Sequence, residues 1–556
     1  MISIEYNAKQ GKFLISCPPD MNGIMWAMPD RRFRKGSGVW AAPALRRNIE
    51  YMARHINNPQ MYSEEALAVF NAKRAALSEK PEGESSWPAW YKFKNSPMDH
   101  QMTGIEKFFP LNENAIFFEQ GLGKTYTAIN LAAAWRMTNK IDAVVVVCPS
   151  SIKLVWEEEL KTHSSIPFQI HTLEAGKYKA ADGFLETRND FPWFIAGIEA
   201  MSQGKAHEYI DRFMLSRNCL IIIDESSSIK TPGKTRTDRC VRFGPKAAKR
   251  MLLSGTSITQ GLEDLYTQYK FLNPDIIGYD SYYSFRNHFC VITQMEVSEG
   301  RFVPKIIGYK NEDELMRLIQ PYTLRVEKAD ALDLPEKTFT NRYCAMTPAQ
   351  KKLYSGMKHE FVVEMDNGEY EVSTVLEQML RLQQITGGHY PWDDGEKVTP
   401  IPIPGKNPKI EEMLKVMDEF QGKVIIWCQF RPEIELVAEA LAKAGIQVVQ
   451  FHGGCKDAEK REAINQFRKN PDVRVFLATR AAAYGLTLVE ASTAIYYSQG
   501  YSLEQYSQSQ DRMHRIGQVS HCNYIHLVCN KTVDTEVIKA LAGKKAIADV
   551  AYSMLK

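Results

Sequence analysis

The sequence predicts an α/β protein of two lobes, each a parallel sheet flanked by helices, with a helical region between them and a small α+β module at the N-terminus. Three observations predict it. Continuous apolar runs, AVVVVC (Ala143 to Cys148), WFIAG (Trp193 to Gly197), CLIII (Cys219 to Ile223) and MLLS (Met251 to Ser254), have the pattern of strands buried on both faces of a parallel sheet. Helical segments such as SIKLVWEEELKTH and LEDLYTQYKFL lie between them, and the alternation resumes later with KVIIWC, QVVQF, VRVFLA, TAIYY and NYIHLV. At 556 residues the chain has room for roughly three to four domains, each able to bury its own core.

Residues 1–86 form the first unit in order. Alternating apolar residues in ISIEYN and KFLISC suggest a hairpin, and Ser63 to Leu77 reads as a capped amphipathic helix. Between them Arg31, Arg32, Arg34, Lys35, Arg46 and Arg47 interleave with Phe33 and Trp40. Residues 1–55 carry nine Lys or Arg against four Asp or Glu, a local excess of five positives on a chain whose total is +3. That pattern fits a nucleic-acid contact and equally a solvated hairpin face over a buried tryptophan. SEKPEGESS, Ser78 to Ser86, reads as a linker.

Residues 87–280 make the first lobe. Residues 281–400 read as a helical protrusion and interlobe linker, with EVSTVLEQMLRLQQITGG a long helix ended by Gly387 and Gly388 and followed by a proline-rich stretch from Pro391 to Pro408. Residues 401–556 make the second lobe.

Bulk properties exclude several classes. A composition 44% hydrophobic and 24% charged is that of a soluble globular protein, and a net charge of +3 leaves any nucleic-acid affinity to local patches. Ten cysteines with no CxxC pair argue against a zinc module or a disulfide framework. The N-terminus lacks a signal-peptide pattern and no apolar run reaches membrane-spanning length, so a cytoplasmic protein with no membrane partner is expected.

The chemistry concentrates in NAIFFEQGLGKTYTAI, Asn114 to Ile129, which reads strand, glycine-punctuated loop, helix. Gly121 and Gly123 let successive backbone N–H groups, Leu122 included, turn toward phosphate oxygens at a helix N-terminus. Lys124 can reach the terminal phosphates of ATP and the Thr125 hydroxyl can sit on Mg2+. Phe118 stands where the strict pattern has its first glycine. In IIIDESSSIKTPGKTR, Ile221 to Arg236, a strand ending in Asp224 and Glu225 offers one carboxylate for the metal and one for the attacking water.

With these in order, the chain resembles the Swi/Snf-like family of helicase-superfamily-two ATPases, DNA translocases built on two RecA-like lobes. PMDHQMTGIEKF resembles the family's adenine-reading segment, with Gln101 in the glutamine position. EQGLGKT is close to its phosphate loop, which also lacks the first glycine. VVVVCPSSIKLVWEEEL resembles the segment touching a nucleic-acid strand, which implies contacts from Ser150 and Lys153. KRMLLSGTSITQGLEDLYTQYKFLNP is similar to the family's SGT motif, implying a coupling role for Ser254 and a strand contact for Thr256. VFLATRAAAYGLTLVEASTAIYYSQGYSLEQYSQSQDRMHRIGQ matches the fifth and sixth motifs. It implies strand contacts from Thr479 and Gly485, coupling through Gln508 and Asp511, and Arg512 and Arg515 as the pair reaching the ATP phosphates. Such an arginine is worth ~10³ to 10⁵ in rate where measured.

Departures stand at Ser226 and Ser227, where the family has an Ala-His or similar pair that couples this motif to the SGT motif. Others are Ser257 for proline, Gln260 for asparagine and Thr487 for asparagine. WAMPDRRFRKGSGVWAAP is similar to the small HARP-type domain ahead of Swi/Snf-like ATPases that reanneal strands, which implies nucleic-acid contacts from Arg31, Arg32, Arg34 and Trp40.

The resemblance implies an ATP-dependent, monomeric translocase on double-stranded or branched DNA, using ATP and Mg2+. Alternatives are a strand-separating DNA or RNA helicase, and a nucleotide-gated DNA-binding scaffold without turnover. With no long tail, chromatin-reading module or large insertion in the sequence, the expectation is replication, recombination or repair in a bacterial cell or phage-infected host, not nucleosome remodelling.

Overall fold

The computed structural model describes residues 2–78, 87–174, 176–187, 190–255, 261–298, 301–332, 334–366, 372–393, 398–479 and 486–543. The chain divides into two compact units, Met1–Ala331 and Leu332–Lys556.

The first unit opens with β1 (Ser3–Asn7), β2 (Lys12–Ser16), α1 (Asn22–Ala27), β3 (Arg32–Arg34) and β4 (Val39–Pro43), the strands pairing antiparallel in the order β1-β2-β4-β3. Register aligns Ile4, Ile15, Trp40 and Phe33 in one row across the sheet. Because alternate side chains share a face, this row lies on the core side, under α2 (Arg46–His55) and α3 (Glu64–Ser78), which bury Ile49, Met52, Ala66 and Phe70 against it. The Ser63 hydroxyl accepts from the backbone N–H of Ala66 at 3.2 Å, the cap expected for α3. Residues 79–86, the bulk of the expected linker, lie outside the described residues.

This module is fastened to the parallel-sheet part of the same unit through the segment after the helix Leu265–Leu272. The Asp280 N–H donates to Asp30 at 3.0 Å, and the Asp280 carboxylate lies 3.4 Å from Lys12 and 3.6 Å from Lys270. The Arg47 guanidinium lies over the Tyr279 ring, 4.3 Å from its centre, and donates to its hydroxyl, while Lys73 pairs with Asp275. Gly278, at φ +72°, lets the backbone come within reach of the Arg47 stem, which a Cβ would meet at 2.7 Å.

Next come β5 (Glu113–Phe118), β6 (Ala143–Cys148), β7 (Phe168–Thr172), β8 (Phe191–Gly197), β9 (Cys219–Asp224) and β10 (Lys249–Leu253). A hairpin, β11 (Cys290–Ser298) and β12 (Arg301–Tyr309), precedes β13 (Thr323–Val326). Among the described residues β5–β10 and β13 form one seven-stranded parallel sheet, order β13-β5-β10-β9-β6-β8-β7. The first-lobe boundary expected at residue 280 therefore falls short, because Thr323 to Val326 pair with Ala115 to Phe118 and complete the sheet. The hairpin also corrects the helical reading of this stretch. CVITQMEV and RFVPKII are β-branched and alternating, and they pair along both strands.

The second unit holds β14 (Lys337–Cys344), β15 (His389–Asp393), β16 (Val398–Pro402), β17 (Lys423–Cys428), β18 (Gln447–Phe451), β19 (Val473–Thr479), β20 (Ala491–Tyr496) and β21 (Cys522–Cys529). Six of them form a parallel sheet in the order β14-β21-β20-β17-β19-β18. Strand β14 pairs residue for residue with β21, so the second sheet begins about sixty residues before the expected start at 401. The proline-rich stretch expected as a linker makes the short hairpin β15-β16, and the expected long helix runs Val372–Gly387.

The Arg47 contact tests how the module is held. Arg47→Ala removes a ring contact and a hydrogen bond, each worth about 1 kcal/mol where partly buried. The expected loss in urea unfolding is about 1–2 kcal/mol, and a change below about 0.3 kcal/mol would show that other contacts carry the docking.

Candidate active site

Strand β5 delivers the chain to the loop Glu119 to Gly123, and α5 (Lys124–Met137) follows α4 (Asp99–Phe108) in the chain order. Gly121 and Gly123 take φ of 87° and 77°, left-handed values that a side chain would oppose. A Cβ on Gly123 would collide with the Gln101 amide. Gln101, buried on α4, accepts from the Met98 N–H at 3.0 Å and donates to the Leu122 carbonyl at 3.1 Å. The His100 ring nitrogen also meets the Leu122 carbonyl, at 2.8 Å. Gln101 therefore braces the loop from behind. Thr127 ties α5 back to the Gly123 carbonyl at 3.2 Å, and Lys124 donates to the Phe118 carbonyl at 3.0 Å. Thr125 is half-buried beside it.

Strand β9 ends in Asp224, a buried carboxylate. One oxygen accepts from the Glu225 N–H at 2.8 Å and the other from the Trp156 indole N–H at 2.9 Å. Burial pushes the Asp224 carboxyl up from the usual range, and the Lys124 charge is the first influence holding it down, followed by the Trp156 bond. Trp156 lies on α6 (Lys153–His163). Nothing within SIKLVWEEELKTH marks its indole as more than a core ring, because its partner is 68 residues away. Glu225 turns sharply out of the strand at φ 49°, ψ 58°, an uncommon conformation for a side-chain-bearing residue and of the kind functional sites hold.

Strand β10 brings the third segment alongside. The Ser254 N–H donates to the Ile116 carbonyl at 3.2 Å, and a Cβ on Gly255 would lie 2.9 Å from Gln120 and 3.6 Å from the Lys124 amine. At the departure Ser226 the hydroxyl donates to Gln268 at 2.6 Å, and Gln268 donates to the Asp264 carbonyl at 2.9 Å. Thr267 adds a bond to the Ile229 carbonyl at 2.6 Å, so the helix after the SGT segment is bolted to the residues after Asp224. Thr256 lies outside the described residues, with Ser257 and Gln260.

The expected nucleic-acid contacts divide. Ser150 is exposed and bonds Glu199 at 2.7 Å, whereas the Lys153 amine donates to the Leu173 carbonyl at 3.1 Å. In the N-terminal module Arg32 and Arg34 are exposed and Arg31 half-buried, but Trp40 is 3% exposed, its indole bonded to Asn22 at 3.3 Å. Trp40 is corrected from a contact to a core ring. The exposed rings of the module are Phe33, named in the sequence pattern beside the arginines, and Trp26, which that pattern does not single out.

In the second unit Thr479 closes β19, half-buried, and Gly485 lies outside the described residues. The DRMHRIGQ string separates its two arginines. Arg512 is 5% exposed, donating to the Gln508 carbonyl at 2.8 Å and the Leu486 carbonyl at 3.2 Å, whereas Arg515 is half-buried. Gln508 and Asp511 are buried, with Lys337 3.7 Å from Asp511. Gln518 donates to the Ala491 carbonyl at 2.8 Å and staples the turn.

The first-unit cluster fits a magnesium nucleotide. Left-handed glycines leave a loop that a Cβ would obstruct, a lysine amine stands beside it, and a buried carboxylate is presented with a donor on each oxygen. Trp156→Phe keeps the ring and removes the N–H. A hydrogen bond to a charged group is worth about 1.5–3 kcal/mol, so the magnesium concentration for half-maximal binding of a fluorescent ATP analogue is expected to rise roughly tenfold. An unchanged requirement in a folded variant would leave Trp156 as core packing alone.

Known proteins match the same regions. The family described as SNF2-related domain matches residues 47–389, more than half of the chain, and the helicase conserved C-terminal domain matches 405–517. A chromodomain-helicase-DNA-binding protein 1-like of Danio rerio is 24% identical over 443 residues, covering 78% of this chain and 41% of its own. An ISWI chromatin-remodeling complex ATPase of Saccharomyces cerevisiae is 25% identical over 469 residues, covering 80% and 40%. The chain thus spans less than half the length of these relatives. Among solved structures, the Sulfolobus solfataricus SWI2/SNF2 ATPase core in complex with dsDNA is 22% identical, covering 84% of this chain and 95% of its own at a TM-score of 0.38. Proteins of the matched family are helicase-type ATPases that use ATP with Mg2+. On the extent of the first match, this chain belongs to the SNF2-related family.

Proposed function

We propose that the chain is an ATP-dependent translocase on double-stranded DNA that acts on forks or junctions in replication, recombination or repair, in a bacterial cell or a phage-infected host. The observation that carries the reading is the convergence of Lys124, Asp224 and Gly255 at the carboxyl ends of β5, β9 and β10, where open α/β sheets bind ligands.

Each residue then has a task. The loop N–H groups from Gly121 to Gly123 and the Lys124 amine hold the phosphates, while Thr125 and Asp224 hold Mg2+. Mg2+ held there would supply charge neutralisation for phosphoryl transfer. Glu225 orients the attacking water and accepts its proton. Arg515 is the guanidinium assigned to ATP hydrolysis, and Arg512 keeps the turn carrying Arg515 in shape through its bonds to Gln508 and Leu486. Ser254, Gln268 and Ser226 pass the state of the phosphate site to neighbouring segments. Gln508 and Asp511 do so in the second unit. Ser150, Lys153 and Thr479 meet the DNA backbone, contacts that position the strand without reading sequence.

Lys124→Ala, Glu225→Gln and Arg515→Ala are each expected to lower DNA-stimulated ATP hydrolysis by at least about a hundredfold, the scale seen when one charge-stabilising group is lost. Near-full activity in any one removes its assigned role. Hydrolysis by the wild type, measured with single-stranded, duplex, forked and four-way DNA, tests the reading itself. No turnover with any of them would leave a nucleotide-gated binding protein. Strand displacement without triplex displacement would make it a separating helicase.

A further inference from the structure

The row Ile4, Ile15, Trp40, Phe33 crosses the N-terminal sheet on its core face and does not end inside the core. Strand β3 is the edge strand, and Phe33 there is 47% exposed. Trp26, on α1, is 61% exposed. Both rings rest on the same buried Trp40, Trp26 edge-on at 5.0 Å between centres and Phe33 tilted at 4.9 Å. The Trp40 indole is pinned to Asn22, so the supporting ring has a fixed orientation.

Positive charge surrounds these rings. The Arg31 guanidinium lies 5.4 Å from the Trp26 ring centre, and Arg32 and Arg34, exposed on the same edge strand, alternate to the face opposite Phe33, where Arg34 donates to Gln10. An edge strand gains protection from charge alone. Two large exposed rings beside that charge do not serve that purpose, but they match what holds a single strand: aromatic faces for the bases and cations for the phosphates.

We propose that Trp26 and Phe33, braced on Trp40, with Arg31 against Trp26 and with Arg32 and Arg34 on the reverse face of the same edge strand, are a stacking platform for unpaired bases of single-stranded DNA. The choice of ligand rests on the reading of the chain as a DNA translocase. Asp30 lies between Trp26 and Phe33 in the chain, and its carboxylate accepts the Asp280 N–H at 3.0 Å, so the platform is anchored to the part of the chain that carries the phosphate loop. An unpaired strand gripped there is held by the ATP-binding unit itself. A preference for forked over blunt DNA would follow, since a blunt duplex offers phosphates but no free base faces.

Fluorescence anisotropy on the full chain separates stacking from charge. The probes are a labelled oligothymidylate of about ten nucleotides, within the span such sites cover, and an abasic strand of equal length. The wild type is expected to bind the thymidylate roughly tenfold or more tightly than the abasic strand, the scale of one or two stacked bases. Trp26→Ala with Phe33→Ala is expected to erase that difference while thermal unfolding shows the variant folded, both rings being exposed. Arg31→Ala with Arg32→Ala is expected to weaken both probes together. Equal binding of the two strands by the wild type, or a base preference that survives loss of both rings, overturns the platform. ATP hydrolysis by the wild type with blunt duplex keeps the two readings apart. Hydrolysis without base preference sinks the platform alone, and base preference without hydrolysis sinks the translocase alone.

Discussion

A buried carboxylate at the end of β9 is the constraint on which the first unit's chemistry depends. Removing Asp224 from water favours its neutral form, and a neutral acid is a poor magnesium ligand. Three groups oppose that drift: the Lys124 charge, the Trp156 indole and the Glu225 N–H. They come from three different segments, α5, α6 and the turn after β9, so the charge state of one oxygen pair depends on the packing of most of the sheet. The left-handed turn at Glu225 belongs to the same arrangement. It places a donor back onto Asp224 while carrying the next carboxylate off the strand line, at a backbone cost the surrounding sheet must hold.

Local sequence made the sheet strands and the loop readable, because both rest on short-range rules. Strands buried on two faces must be continuously apolar, and a loop that crowds Gln101 must have glycine at 123. What could not be read is long-range. β13 and β14 are four and eight residues whose membership in their sheets is decided by partners far along the chain, and their own composition is no more strand-like than that of an exposed segment. Trp156 and the Ser226–Gln268 bond are invisible for the same reason. At Ser226 the family pattern puts a contact in doubt, and the structure shows the hydroxyl's one donor meeting a glutamine oxygen.

The N-terminal module shows the converse, where periodicity predicts which side chains alternate but not where a row stops. Trp40 and Phe33 sit in the same row, and sequence alone gives them equal standing. Edge position separates them: β4 is covered on both sides by strands, whereas β3 has one neighbour, so the row is buried at Trp40 and open at Phe33. A module joined only by a linker would be free to move against the sheet. Here Asp30, Arg47, Lys12 and Lys73 fix it to the segment Asp275 to Asp280, which continues from the helix holding Gln268.

The two arginines of DRMHRIGQ carry the same lesson to the second unit. As letters three residues apart on a turn of helix they look like a pair with one job. Their surroundings differ. Arg512 has spent two donors on the backbone carbonyls of Gln508 and Leu486 inside a shell that excludes water, and its own carbonyl receives the Leu488 N–H. A guanidinium held that way cannot swing to a phosphate without leaving buried carbonyls unpaired, at a cost of about 1–3 kcal/mol for each. Arg515 is half-buried, in a turn stapled by Gln518. The buried arginine is held by two backbone carbonyls and shapes the turn that carries the outer one.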